Sequence, residues 1–226
     1  ESEFERGDEG WTTNYEILYG LTPDVAITLA LPYHYSTDFR RPGVGDVVIR
    51  GKYRFIRRDI LNASDQFAVH TGAKLPSGNR AENLGSGTTD FFVGVSFGHE
   101  SRVHYAFAGV RYRVNGSLDD LNRGDVMNFD VAYGIRPWQL EYTDPDPVFL
   151  VEVLGRSARQ TVQAGIRQQN TGGLTLGVAP GILFSYRNVM LKLGAKLPLL
   201  ERLNGSQPNP GREFILAIDI HMPPLK

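Results

Sequence analysis

Almost every residue along this chain changes side. Large apolar groups alternate with small or charged ones, and the i, i+3, i+4 spacing of an amphipathic helix is essentially absent. Strict period-two alternation puts successive side chains on opposite faces of a strand. Val25, Ile27, Leu29, Leu31, Tyr33 and Tyr35 share one face, and Ala26, Thr28, Ala30, Pro32 and His34 share the other. Further on, Val47, Ile49, Gly51, Tyr53 and Phe55 oppose Val48, Arg50, Lys52, Arg54 and Ile56. Similar segments begin near Trp11, Gln66, Thr89, Arg102, Val126, Val148, Leu174, Val189 and Glu213. Each is about 9–13 residues long, the length a tilted strand needs to cross a bilayer. The chain therefore reads as all-β, with one domain spanning residues 1–226.

The two faces decide between a soluble barrel and a transmembrane one. The second face mixes small residues with charges, as in Ala68, His70, Gly72 and Lys74. On a wet outer surface small residues serve no purpose, whereas a barrel interior needs them to leave room for large neighbours. The prediction is a transmembrane, antiparallel, up-and-down β-barrel. No apolar run approaches the roughly 18 residues of a membrane-spanning helix. A net charge of −1 argues against nucleic-acid binding, and the absence of Cys excludes disulfides and Cys-ligated metals. The opening ESEFERGDEG has neither the basic nor the apolar region of a signal peptide, which is expected to lie outside this stretch.

Loop length assigns direction, because such barrels have short periplasmic turns and longer extracellular loops. Thr22–Asp24, His99–Arg102 and Tyr186–Asn188 are short; Ser36–Gly45, Ser77–Thr88, Asn115–Gly124 and Glu201–Arg212 are long. Strands ending at Tyr35, Pro76, Val114 and Pro198 then run outward. Arg156–Gly173 reads either as a strand or as an extracellular loop; the loop reading preserves the rule for every later connection. Trp138–Pro147 becomes a longish periplasmic turn. Eleven strands result, and even strand parity requires a twelfth before Trp11, of which ESEFERG is the outer end, cut short in this chain. Aromatic girdles are expected at both interfaces, with Tyr19, Phe55, Phe67, Phe97, Tyr105, Tyr133, Phe149 and Phe184 inside and Tyr33, Tyr35, Tyr112 and Phe214 outside.

The succession LYGLTPDVAITLALPY, GVGDVVIRGKYRF, GAKLPSGN…LGSGTTDFFVGVSF and LTLGVAPGILFSYRNVMLKLGAKLPLLERLNG resembles the outer-membrane transporter family named after the MetA pathway of phenol degradation. The resemblance spans nearly the whole chain in order. It implies a Gram-negative outer-membrane barrel with a transport role and no catalytic residues to carry over. The ending HMPPLK departs from the terminal aromatic residue common in such chains.

Projecting the polar face inward gives the lumen-lining candidates. Basic groups are Arg50, Lys52, Arg54, Lys74, Lys192 and Lys196, with the imidazoles of His34, His70 and His221; acidic groups are Glu16, Asp130, Glu152 and Asp219. They either set solute selectivity, the basic excess favouring anions or acidic aromatic compounds, or pair across the interior as structural salt bridges. The ladder Arg50, Lys52, Arg54 needs facing carboxylates or an anionic ligand, and Glu16 and Asp219 are the candidates. The expected function is passive passage of small solutes through the bacterial outer membrane, in contact with lipid and lipopolysaccharide. A barrel that sheathes a partner protein is the second reading, and an outer-membrane lipid hydrolase the third. No catalytic site, cofactor or metal is expected. The GxSxG elbow is missing, His34 and His70 lack a third ligand, and LGSGTTD lacks the Gly-Lys-Ser/Thr ending of a phosphate loop. Finally, GAKLP occurs at both Gly72–Pro76 and Gly194–Pro198. Both copies are expected at outer strand ends, with Pro stopping the ladder and Lys74 and Lys196 at similar heights in the outer half of the lumen.

Overall fold

The protein is described by a computed structural model covering residues 2–7, 10–35, 41–138, 144–208 and 211–222. Twelve strands form the wall: β1 (Ser2–Gly7), β2 (Gly10–Gly20), β3 (Val25–His34), β4 (Val48–Ile60), β5 (Ala63–Lys74) and β6 (Asp90–Ser101), followed by β7 (His104–Val114), β8 (Val126–Ile135), β9 (Asp146–Ala158), β10 (Gly173–Tyr186), β11 (Val189–Leu203) and β12 (Glu213–Ile220). Each pairs antiparallel with the next. β12 pairs back onto β1, with Phe4 opposite Leu216. The ladder thus returns to its start at the loop end, where β1 covers Gly10–Tyr15 of β2 and Phe214–Ile218 of β12; the rest of β2 and β12 has no described partner on that side. The twelve-strand expectation holds, and Ser2–Gly7 forms the strand between the first and last segments of the wall.

All connections predicted to be long lie at one end, and the short ones at the other. Thr22 shapes the β2–β3 turn, its hydroxyl accepting hydrogen bonds from the amides of Asp24 and Val25. At the β6–β7 turn the strands continue further than the sequence suggests. His99 lies inside β6, and only Arg102 and Val103 connect the strands, because the Ser101 hydroxyl accepts from the His104 amide and closes the hairpin. The Arg156–Gly173 stretch is mainly a loop, as the direction rule demands. Its alternating Val162, Ala164 and Ile166 belong to a small hairpin, Val162–Gln163 with Ile166–Arg167. That hairpin pairs with a second one built by the β7–β8 loop, Ser117–Leu118 with Leu121–Asn122. Both turn on residues at positive φ, Asp119 (49°) with Asp120 (60°) and Ala164 (49°) with Gly165 (77°), as two-residue hairpins require. Parts of the β3–β4, β8–β9 and β11–β12 connections, and the final Pro223–Lys226, lie outside the described residues.

Large apolar side chains stand exposed on one face around the ring. Ile17 (70%) and Val131 (60%) are among the most accessible, with Leu29, Ile49, Val93 and Phe214 around them. The opposite face carries the charges. Arg50 of β4 pairs with Glu16 of β2 across the intervening β3, a reach that side chains achieve on the concave side, where they converge. The apolar face is therefore the outside of the barrel, which is the arrangement lipid requires. Aromatic contacts at the turn end join Phe55 to Phe67 (6.4 Å) and Phe67 to Phe97 (4.8 Å), and at the loop end Tyr33 to Tyr35 (5.2 Å). Tyr105 departs from the expected girdle. It lies opposite Gly134, on the inner face, with the Arg136 guanidinium 5.0 Å from its ring centre.

Candidate functional site

Strand alternation sends Glu16, Ala30, Arg50, His70, Arg111, Asp130 and Glu152 to the inner face, and register decides which of them meet. The charge ladder on β4 resolves into three different situations. Arg50 is paired with Glu16. Arg54 is a structural clasp on the β2–β3 turn, holding the Asp24 carboxylate (2.9 Å) and the Pro23 carbonyl (2.6 Å) while reaching Gln66 on β5. Lys52, between them, makes no ion pair among the described residues. Asp219, expected as a partner of this ladder, instead holds Lys192 at 2.8 Å. It sits on β12, on the other side of β1 and β2, and the shorter reach to β11 wins.

The two pentapeptide lysines differ. Lys196 meets Glu213, the first residue of β12, at 2.8 Å. Lys74, the last residue of β5, lies between Asp90 (2.6 Å) and Asp46 (3.4 Å) and donates to the Ser86 hydroxyl. Asp90 is 1% exposed and also accepts from the Thr88 hydroxyl (2.9 Å) and the Gly116 amide (3.0 Å). Asp46 accepts from the amides of Gly78 (3.0 Å) and Ser86 (2.7 Å). Burial by itself would raise the Asp46 carboxyl, but the Ser86 and Gly78 hydrogen bonds and the Lys74 charge outweigh it and hold it below the usual carboxylate range. This network fastens the β5–β6 loop into the barrel mouth. A cavity of about 390 Å³ remains there between inner-face residues Pro32, His34, Val48 and Lys74 and the folded-in segment 83–86, with Arg123 beside it. Arg123 donates to the Ser86 carbonyl at 2.8 Å.

The remaining candidates fall in three places. His34 lies 3.1 Å from the Thr12 hydroxyl under the mouth loop. His70 is deeper, its Nε2 2.6 Å from Ser96 Oγ. Sequence patterning gave that histidine no serine partner, because the two are adjacent only through the β5–β6 register. His221 lies past the end of β12, exposed, its amide donating to the Asn188 carbonyl. Asp130 and Glu152 face inward on β8 and β9 without an ion pair among the described residues.

Several inner-face residues escape a search for charged stripes. Arg111 and Arg113 were legible in the alternation of VRYRV, whereas Arg156 is disguised by its place at the start of the apparent loop. Asp46 and Asp90 follow no pattern at all. Phe92 and Phe107 also turn inward, Phe92 opposite Gly72 and Phe107 opposite Gly98, each filling the space that the glycine leaves.

The fold is similar to that of the COG4313 outer membrane channel from Pseudomonas putida F1, with a TM-score of 0.76, 97% of this chain and 93% of that one covered, and 12% sequence identity. At that identity the likeness is one of fold. No family model matches the chain, and no curated protein matches it.

Proposed function

We propose that this chain is an outer-membrane channel for passive passage of small solutes, with a preference for anions. The observation that carries the reading is the grouping of the inner-face cations left after pairing. Arg50, Lys74, Lys192 and Lys196 have carboxylate partners; Lys52, Arg111, Arg113 and Arg156 have none among the described residues, and the last three lie on adjacent rungs, whereas the carboxylates in the same condition, Glu100, Asp130, Glu152 and Glu201, are spread from the turn end of the wall to the mouth. A local cluster of cations on the wall lowers the cost of moving an anion past it through a narrow aqueous path. The apolar outer face supports residence in a bilayer, and the similarity to an outer membrane channel supports both the location and the transport role.

The test is a planar-bilayer recording on refolded protein, with liposome swelling as a second readout and a phospholipid-hydrolysis assay beside it. Conductance with a reversal potential displaced towards the anion supports the proposal, and Arg50→Gln with Lys52→Gln should move that potential towards the cation. An unmoved potential would remove these two residues from selectivity. Hydrolysis without conductance would turn attention to His70 and Ser96, although their inner-face position keeps them away from membrane lipid. Neither activity would favour a barrel that sheathes a partner protein.

A further inference from the structure

We infer that Arg111, Arg113 and Arg156 form a station inside the barrel for a small oxyanion, a carboxylate or phosphate group held by guanidinium forks. The placement comes from register. One rung runs Gly94, Arg111, Asn128, Arg156, Thr175, Glu201 across β6 to β11. The rung nearer the mouth runs Phe92, Arg113, Val126. Cross-strand partners share a face, so all three arginines project inward. Neighbouring strands are about 4.8 Å apart, which leaves Arg111 and Arg156 separated by roughly two strand spacings with the Asn128 amide between them. Arginine side chains are long enough to meet over that gap.

None of the three makes an ion pair or a side-chain hydrogen bond among the described residues. Arg113 Nε is buried without a partner, while Arg111 rests its guanidinium 5.6 Å from the centre of the Phe92 ring. The charges of Arg156, Arg111 and Arg123 repel Arg113 and that of Asp90 attracts it, as Asp130 attracts Arg111; the Asp90 carboxylate is already shared by Lys74, Thr88 and Gly116. Three like charges collected on a concave surface repel one another unless an anion sits between them. Guanidinium suits this task because its planar fork binds carboxylate and phosphate with two parallel hydrogen bonds. Asp130 lies one rung further in, leaning over Gly109. An incoming anion therefore meets the arginine rungs with Asp130 behind them and Glu201 at their far edge, two strands beyond Arg156, and halts at the arginines.

The station gives the channel reading its solute class and rests on that reading for its purpose, but its test does not require conduction. Calorimetric titration of detergent-refolded protein with inorganic phosphate and with succinate, in low-chloride buffer, should show saturable binding of at least one. Arg111→Gln with Arg156→Gln should weaken it at least tenfold, and Arg57→Gln, at the exposed turn end, should leave it unchanged. Arg111→Lys with Arg156→Lys keeps the charge and loses the fork, so it should bind several-fold more weakly than wild type. No binding by wild type, or equal binding by either double variant, overturns the station. A barrel that binds phosphate without conducting would retain the station and lose the channel; one that conducts without binding would do the reverse.

Discussion

Asp46 shows how one carboxylate can decide the state of the barrel mouth. It gathers two amides, one hydroxyl and one ammonium group, and three of those four donors belong to the β5–β6 loop. Its carboxyl is held below the usual range in the folded protein, so it contributes stability that is complete above the ordinary aspartate value of about 4. That contribution disappears as the pH falls through the lower folded value. Trypsin cleavage after Arg80, within this loop, should accordingly be slow at neutral pH. Asp46→Ala should cost about 3 kcal/mol by leaving the Gly78 and Ser86 donors without their acceptor, and should accelerate that cleavage roughly a hundredfold. Cleavage at the wild-type rate would show that the loop is held by other means. Nothing in GDVV marks Asp46 for this role, since its partners come from segments about 30–40 positions away and are brought together only by the closed wall.

The elements themselves were largely legible. Alternation located eleven strands, loop length gave their directions, and parity demanded the twelfth. What alternation misses is any place where the ladder breaks step. Phe55 is an extra residue between Arg54 and Ile56 of β4, and Leu199 is another in β11, where the register shifts between Leu176 and Gly177 of β10. This second bulge corrects the expectation for Pro198. The strand does not stop there but runs on to Leu203, because the bulge places the proline where the ladder tolerates a missing N–H. Pro76 does follow the end of its strand. The two GAKLP copies are therefore alike in direction and in the inward face of their lysines, but not in surroundings. A Cβ at Gly72 would run into the Ile49 carbonyl and the Phe92 ring, whereas at Gly194 its nearest neighbour is the Pro180 carbonyl at 3.6 Å. Gly72→Ala should destabilise the barrel by about 1–3 kcal/mol, and Gly194→Ala should stay within about 0.5 kcal/mol, both measured by urea unfolding in vesicles. Equal effects would contradict the assigned packing. The arginine rungs were hidden for a related reason. Each arginine's face can be read from its own strand, but which arginines share a rung depends on stagger between strands, which a single sequence does not carry.

At the scale of the whole molecule, the outward apolar face makes a prediction that any soluble barrel would fail. Val131→Arg, mid-strand on that face, should cost about 2–4 kcal/mol for folding into vesicles. Leu61→Arg, at a turn tip that is 92% exposed, should cost little, since a charged tip stays in water. Comparable penalties at both positions would mean that the wall does not span lipid. The ring is closed by Ser2–Gly7 lying between Glu213–Ile220 and Gly10–Gly20, so its seam joins segments from opposite ends of the sequence. A ribosome delivers those segments some two hundred residues apart. Until the second arrives, the first has one bare flank, and the last strand of every partial wall assembled in between has another. Every wall short of the seam therefore carries two bare flanks of unpaired backbone groups, and only the meeting of the first and last strands removes them.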